Sequence, residues 1–144
     1  MTPAVFALGA QAAWLGTRFL LATEMPIHED YRRRLIAAAE TDPQWYPDLY
    51  NVGWPDAPHR ALRNSTAEAW EAAGRPSDTQ RSGAGEVIAH FASGGPIVRY
   101  EPAPPMAGTT GDIEALSMWA GQSVALARQT QSAADIVAEL TSRL

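Results

Sequence analysis

Cysteine is absent from this 144-residue chain. No disulfide framework, thiolate metal site or thiolate nucleophile can operate in it, which fits a cytoplasmic protein. A basic excess is also missing: 16 acidic residues outweigh 11 basic ones, and the net charge is −5. That balance argues against a nucleic-acid partner, since such proteins usually carry a basic face. An unbroken membrane-length apolar run is lacking as well. The stretch MTPAVFALGAQAAWLGTRFLLA is apolar, but Arg18 lies inside it, Gly9 and Gly16 weaken it, and no basic residue precedes it as a secretory signal requires. It reads as core, with no membrane partner. The three histidines, His28, His59 and His90, show no metal-ligand spacing, so no metal site is expected. Neither an internal repeat nor a low-complexity block is visible.

What is present suffices for one modest domain. Apolar residues make up 46% of the chain, enough for a real core at this length. Pro3–Leu8 reads as the end of a helix stopped by Gly9. Ala12–Leu15 reads as a strand buried on both faces. Tyr31, Leu35 and Ala38 repeat at helical spacing over 27–39, with Glu29–Arg33 and Asp30–Arg34 as i,i+4 pairs on the outer face. Residues 41–64 are irregular and aromatic-rich, with Trp45 and Trp54 expected to pack down. Ser65–Glu68 (STAE) is a capping box opening a helix over 65–73 that carries Trp70.

Arg75–Gly85 is the most polar stretch and reads as a mobile loop. The segments 86–92 and 97–100 flank Ser93-Gly94-Gly95-Pro96 as a small hairpin. Asp112 is expected to cap a helix over 113–128 with Ile113, Leu116, Ala120, Val124 and Ala127 on one face. Ser132 caps the last helix, 132–143, with Ala133, Ile136, Val137, Leu140 and Leu144 facing inward. One buried-type strand has nothing in this list to pair with, which suggests part of something larger.

The chemistry carriers begin at Leu15-Gly16-Thr17. A buried strand ending in Gly-Thr presents backbone N–H groups at its C-terminal edge, where a (β/α)8 barrel binds ligands. Gly16 lets a phosphate approach, Thr17 adds a hydroxyl donor and Arg18 could add charge; an ordinary turn fits the same residues. His28 reads as solvated, His59 as a packing residue of the connector and His90 as surface. Arg60, Arg63 and Asn64 either bind an anion or tie the connector to nearby carbonyls and carboxylates, and the second reading is preferred. Trp119, Gly121 and Gln122 either face a ligand or pack between helices. Glu24 either caps a neighbouring segment or is solvated, and the solvated reading is preferred.

Three segments then carry a resemblance. ALGAQAAWLGTRFLLATE is similar to the seventh helix, eighth strand and following loop of the nitronate monooxygenase (2-nitropropane dioxygenase) family of flavin-dependent (β/α)8-barrel enzymes. VGWPDAPHRALRNSTAEAWEAAG (52–74) and GDIEALSMWAGQSVALAR (111–128) resemble later segments in family order. The resemblance implies an α/β fold, the C-terminal portion of a TIM barrel plus a helical appendage, mainly α with few short strands within this chain. It implies residues 1–40 as the last barrel strand with flanking helices, and 41–144 as connector, hairpin (86–100) and C-terminal helices.

It further implies FMN, held through its phosphate by Leu15, Gly16 and Thr17, with Gln122 on the cofactor side. A small nitronate-like substrate is implied for the full-length protein. The first seven strands, the second phosphate loop and the catalytic histidine correspond to sequence outside this chain. No catalytic residue is therefore expected here, FMN binding by the chain alone should be weak, and turnover is expected only with a barrel-forming N-terminal chain as partner. The alternatives are a non-catalytic helical fragment, half of a split flavin enzyme, or another flavin-barrel oxidoreductase such as a quinone or enoyl reductase.

Overall fold

The computed structural model describes residues 6–142. Residues 1–5 and 143–144, and with them the start of the Pro3–Leu8 helix and Leu144, lie outside the described residues. Phe6 and Ala7 close a helical turn in which the Gly9 N–H donates to the Phe6 carbonyl (2.9 Å). Gly9 takes φ +93°, which suits glycine and ends the turn.

Four α-helices follow among the described residues: α1 (Thr17–Leu20), α2 (Glu29–Ala37), α3 (Ser65–Ala72) and α4 (Ala133–Thr141). The strands β1 (Pro43–Tyr46) and β2 (His59–Leu62) form one antiparallel pair. The strands β3 (Val87–His90), β4 (Pro96–Val98) and β5 (Thr110–Gly111) form a second antiparallel sheet in the order β4-β3-β5. Gly111 is required in β5. It takes φ +112°, and a Cβ there would sit 2.6 Å from the Ile88 carbonyl oxygen.

The helices over 27–39, 65–73 and 132–143 and the hairpin within 86–100 all form near their expected places. Their starts are capped by side chains that accept first-turn N–H groups. His28 Nδ1 accepts from Asp30 N–H (3.1 Å), so it is a cap and not merely solvated. Asn64, one residue before the expected box, accepts from Ala67 N–H (3.1 Å), while Ser65 instead donates to the Glu114 carbonyl (3.2 Å). Ser132 accepts from Asp135 N–H (3.1 Å). On α2 the expected i,i+4 pairs are replaced. Glu29 meets Arg32, Asp30 meets Arg33, and Arg34 crosses to Glu114, because Glu114 and the Arg63 carbonyl lie within its reach.

Two expected elements do not form. Residues 12–15 make no ladder and are largely exposed, with Trp14 fully so. A parallel-type strand is stable only when neighbours satisfy its backbone, and no neighbour pairs with it among the described residues. Residues 113–128 are not an α-helix either. They run as a 3₁₀ turn (Ile113–Ala115), an extended stretch, and a second 3₁₀ turn (Gln122–Leu126). The extended stretch docks on β2: Leu62 N–H donates to the Met118 carbonyl (2.8 Å), and Ala120 N–H to the Arg60 carbonyl (3.2 Å). Ile113, Leu116, Ala120, Val124 and Ala127 are nevertheless all buried. The apolar spacing marked burial, and the pull of β2 set the backbone.

The core has two parts. One gathers Leu21, Ile27, Tyr31 and Leu35 with Ile97, Leu116, Met118 and Val124. The other is aromatic: Tyr46, Tyr50, Trp70 and Tyr100 around Leu49 and Ala61. Each fully buried large aliphatic or aromatic side chain contributes about 1.5–3 kcal/mol. Trp45 and Trp54 stay about half exposed, while their neighbours Tyr46, Leu49 and Tyr50 fill the core. On α4 only Ile136 is fully buried, and Val137 is 48% exposed, with no segment of the described residues covering that side. No helix of the described residues is long and apolar enough to cross a membrane.

Candidate functional site

The site is organised by the path of residues 118–121. Tyr31, buried on α2, donates its hydroxyl to the Trp119 carbonyl (2.5 Å), and the two β2 bonds hold the residues on either side. Burial pushes the Tyr31 hydroxyl well above the ordinary tyrosine range, so it stays a protonated donor. The Trp119 ring is fixed by edge contacts with His59 (4.6 Å between centroids, 79°), Tyr50 (6.1 Å) and Trp54 (6.2 Å). With the backbone pinned there, the next N–H, that of Gly121, donates to Thr17 Oγ1 (3.0 Å).

That bond joins two of the sequence segments singled out above. The Thr17 hydroxyl accepts from Gly121, so its own proton remains free to donate elsewhere. Gly16 precedes α1 with φ −110°, and a Cβ built on it would meet nothing within 4 Å. The N–H groups of Gly16, Thr17 and Arg18 have no acceptor among the described residues. Open space at the Gly16 Cβ position, next to N–H groups without an acceptor among the described residues and a spare hydroxyl proton, suits a phosphate, so the residues present fit the anionic end of a flavin nucleotide.

Two cavities meet at this turn. One, of about 390 Å³, is lined by Gly16, Thr17, Leu20, Arg60, Trp119 and Gly121 among others. The other, of about 850 Å³, runs from Leu15, Gly16 and Thr17 to Leu126 and Leu140. Leu15, Gly16 and Thr17 are thus brought together with Gly121. Gln122 is exposed at the start of its 3₁₀ turn and lines neither cavity.

Arg18 does not face the turn as a free charge. Its guanidinium donates to the Gln129 carbonyl (3.2 Å) and to the Gln131 side chain, and meets Glu139 at 3.4 Å. Glu24 is a cap, because both its carboxylate oxygens accept from Ala133 N–H (3.1 and 3.0 Å) at the start of α4. Hydrogen bonds from its own backbone N–H, from Ala133 and from Thr23 hold this carboxylate below its ordinary range. Arg63 grips Glu68 and Glu71, and Asn64 bonds Tyr50 and the Leu116 carbonyl, so both tie the connector down as preferred.

Of the histidines, His90 is exposed. His59 donates from Nδ1 to the Ala57 carbonyl (2.9 Å), and its Nε2 is buried without a partner among the described residues. Burial lowers its pKa, keeping it neutral. It stands behind Trp119, one ring removed from the cavity. The described residues contain no cluster of three potential metal ligands. The sequence reading missed two features: the Thr17–Gly121 bond, which spans 104 positions, and the place of Arg60 in the same cavity.

No curated protein matches the chain with significance. FabK from Thermotoga maritima is similar over 97% of this chain and 39% of its own, at 25% identity and a TM-score of 0.67. A FabK M276A mutant from the same organism is similar in fold over 98% and 36%, at 22% identity and a TM-score of 0.59. The chain therefore spans well under half the length of these solved structures. The profile of the family described as nitronate monooxygenase matches residues 2–143, nearly the whole chain, and on that evidence the chain belongs to this family of flavin-dependent oxidoreductases.

Proposed function

We propose that this chain supplies the phosphate-binding edge of an FMN site in a nitronate monooxygenase-like enzyme, which oxidises alkyl nitronates with O₂. The observation that supports the reading is the Thr17–Gly121 joint. It places a glycine turn with unpartnered N–H groups and a spare hydroxyl proton at the meeting point of two cavities. In this reading Leu15, Gly16 and Thr17 hold the phosphate, residues 1–40 supply the last barrel strand with its flanks once neighbouring strands pair with 12–15, and residues 41–144 buttress them. Gln122, which family resemblance puts on the cofactor side, is exposed just past Gly121 and outside both cavities, so it would meet the cofactor only from that outer side.

FMN, when bound, supplies the redox chemistry. The residues of this chain bind and orient. Gly16 leaves room for the anion, the backbone N–H groups and Thr17 donate to it, and Gly121 fixes the direction of the Thr17 hydroxyl. In this reading none of the described residues moves a proton of the substrate, and by family resemblance the catalytic histidine lies outside the three matching segments. Positioning is worth ~7–11 kcal/mol and proton transfer ~10²–10⁴-fold, so the chain alone turns nothing over. A second reading, a flavin-barrel reductase of a quinone or an enoyl thioester, draws on the likeness to FabK.

The test is a flavin titration followed by an oxygen-electrode assay. The chain alone binds FMN weakly, and Gly16→Val abolishes that binding while leaving the fold intact, because a Cβ built at Gly16 meets nothing within 4 Å. Co-expression with a barrel-forming N-terminal chain restores a tightly held flavin and nitronate-dependent oxygen uptake. Protein that stays yellow through gel filtration on its own, or oxygen uptake above the free-flavin blank without the partner, contradicts the reading.

A further inference from the structure

Among the described residues, Arg60 is the one arginine whose guanidinium holds no oxygen. Arg18, Arg32, Arg33, Arg34, Arg63 and Arg75 each meet a carboxylate. Arg81 and Arg99 are likewise paired, and Arg128 donates to the Ile36 and Ala38 carbonyls. Arg60 instead lies over its cross-strand partner Trp45, with Cζ 5.7 Å from the ring centroid. It is half-buried, and it lines the same cavity as Gly16, Thr17, Trp119 and Gly121. Its backbone is fixed there, since the Arg60 carbonyl accepts from Ala120 N–H.

We infer that Arg60 is the specificity-determining cation of this cavity, and that it selects a flavin carrying a doubly charged phosphate over the same flavin without one. The inference rests on the cofactor reading above. The turn at Gly16–Thr17 offers neutral donors only, and Arg18, the nearest basic residue in sequence, is committed to Gln129, Gln131 and Glu139. A dianion held by neutral donors alone lacks a counter-charge. Arg60 is available to supply it, because moving to the anion breaks no ion pair. The Trp45 ring keeps the planar guanidinium ordered until then, and a stacked guanidinium still exposes its N–H edge for bidentate bonding.

The experiment titrates the isotope-labelled chain with FMN, riboflavin and inorganic phosphate, following the Gly16 and Thr17 amides and the Arg60 Nε–H by NMR. FMN is expected to shift all three signals, and riboflavin to bind far more weakly. Arg60→Gln should weaken FMN binding by about tenfold or more, leave riboflavin binding unchanged and flatten the salt dependence. Arg60→Lys should recover part of the loss, and Trp45→Leu, which removes the stack but no charge, should retain FMN affinity. Unchanged FMN affinity in Arg60→Gln, beside loss in Gly16→Val, overturns the inference and leaves the cofactor reading standing. If FMN moves neither the Gly16 nor the Thr17 amide, the cofactor reading fails, and the inference fails with it because no anion then reaches the cavity.

Discussion

Residues 10–16 and residues 75–85 both lie outside the regular sheets and main helices, but they are held in opposite ways. The first segment, largely apolar, lies along the 850 Å³ cavity with Trp14 fully exposed and no backbone ladder. The second is the most polar stretch of the chain and is pinned. Arg81 sinks to 5% exposure, donates to the Leu49 and Asp48 carbonyls (3.1 and 2.8 Å) and to Asn51 Oδ1 (2.7 Å), and pairs with Asp48 (3.0 Å). Its guanidinium also lies over Tyr100, 5.2 Å from the ring centroid. Polarity alone suggested a mobile loop there. Anchoring depends on whether partners are within reach, not on hydropathy: one guanidinium with four oxygen partners outweighs a run of alanines with no ladder to join.

The largest expected effect comes from removing that anchor. Arg81→Leu strands the Asp48 and Leu49 carbonyls and frees the 75–85 segment. Unfolding in urea should show a loss of about 2–4 kcal/mol, and limited proteolysis should begin cutting within 75–85. A variant as stable as the parent would erase the contrast between the two segments.

A middle-sized effect should follow from pH, which probes the aromatic core against which the connector packs. Burial holds His59 below the ordinary histidine value of 6.5 in the folded chain, whereas the unfolded chain takes up its proton near 6.5. Between those values the unfolded state binds more protons, so stability is full above 6.5 and declines as pH falls through the window. His59→Phe should flatten the dependence of the urea midpoint between roughly pH 7 and 5, and an unchanged slope in that variant would assign it to another group. Glu24 acts in a separate, lower window. Its contribution is present above the ordinary glutamate value of 4.5 and lost as pH falls through its depressed folded value.

The smallest effect belongs to the exposed segment. Trp14→Ser should change stability by no more than about 0.5 kcal/mol and remove only a solvent-exposed component of the tryptophan emission. A larger loss, or an emission that is blue-shifted before the substitution, would mean that this ring is covered in solution.

Features that depend on neighbours a few residues away were legible from local spacing. Ser132 caps the last helix as expected, Tyr31 and Leu35 are buried at helical intervals, and the Ser93-Gly94-Gly95 turn folds β3 onto β4. The Gly16-Thr17 motif and its two companion segments also pointed to the family. Other features follow from contacts between distant segments. Residues 113–127 carried a helical spacing of apolar residues, but hydrogen bonds to β2, more than fifty positions away, drew 118–120 into an extended path. Asn64 displaced Ser65 as cap because the Tyr50 hydroxyl and the Leu116 carbonyl bind the same side chain. Residues 12–15 had the composition of a buried strand and found no ladder. The physical reason is the same in each case: a cap or a turn is satisfied within one turn of chain, whereas an extended backbone takes its hydrogen bonds from whatever segment the fold brings beside it.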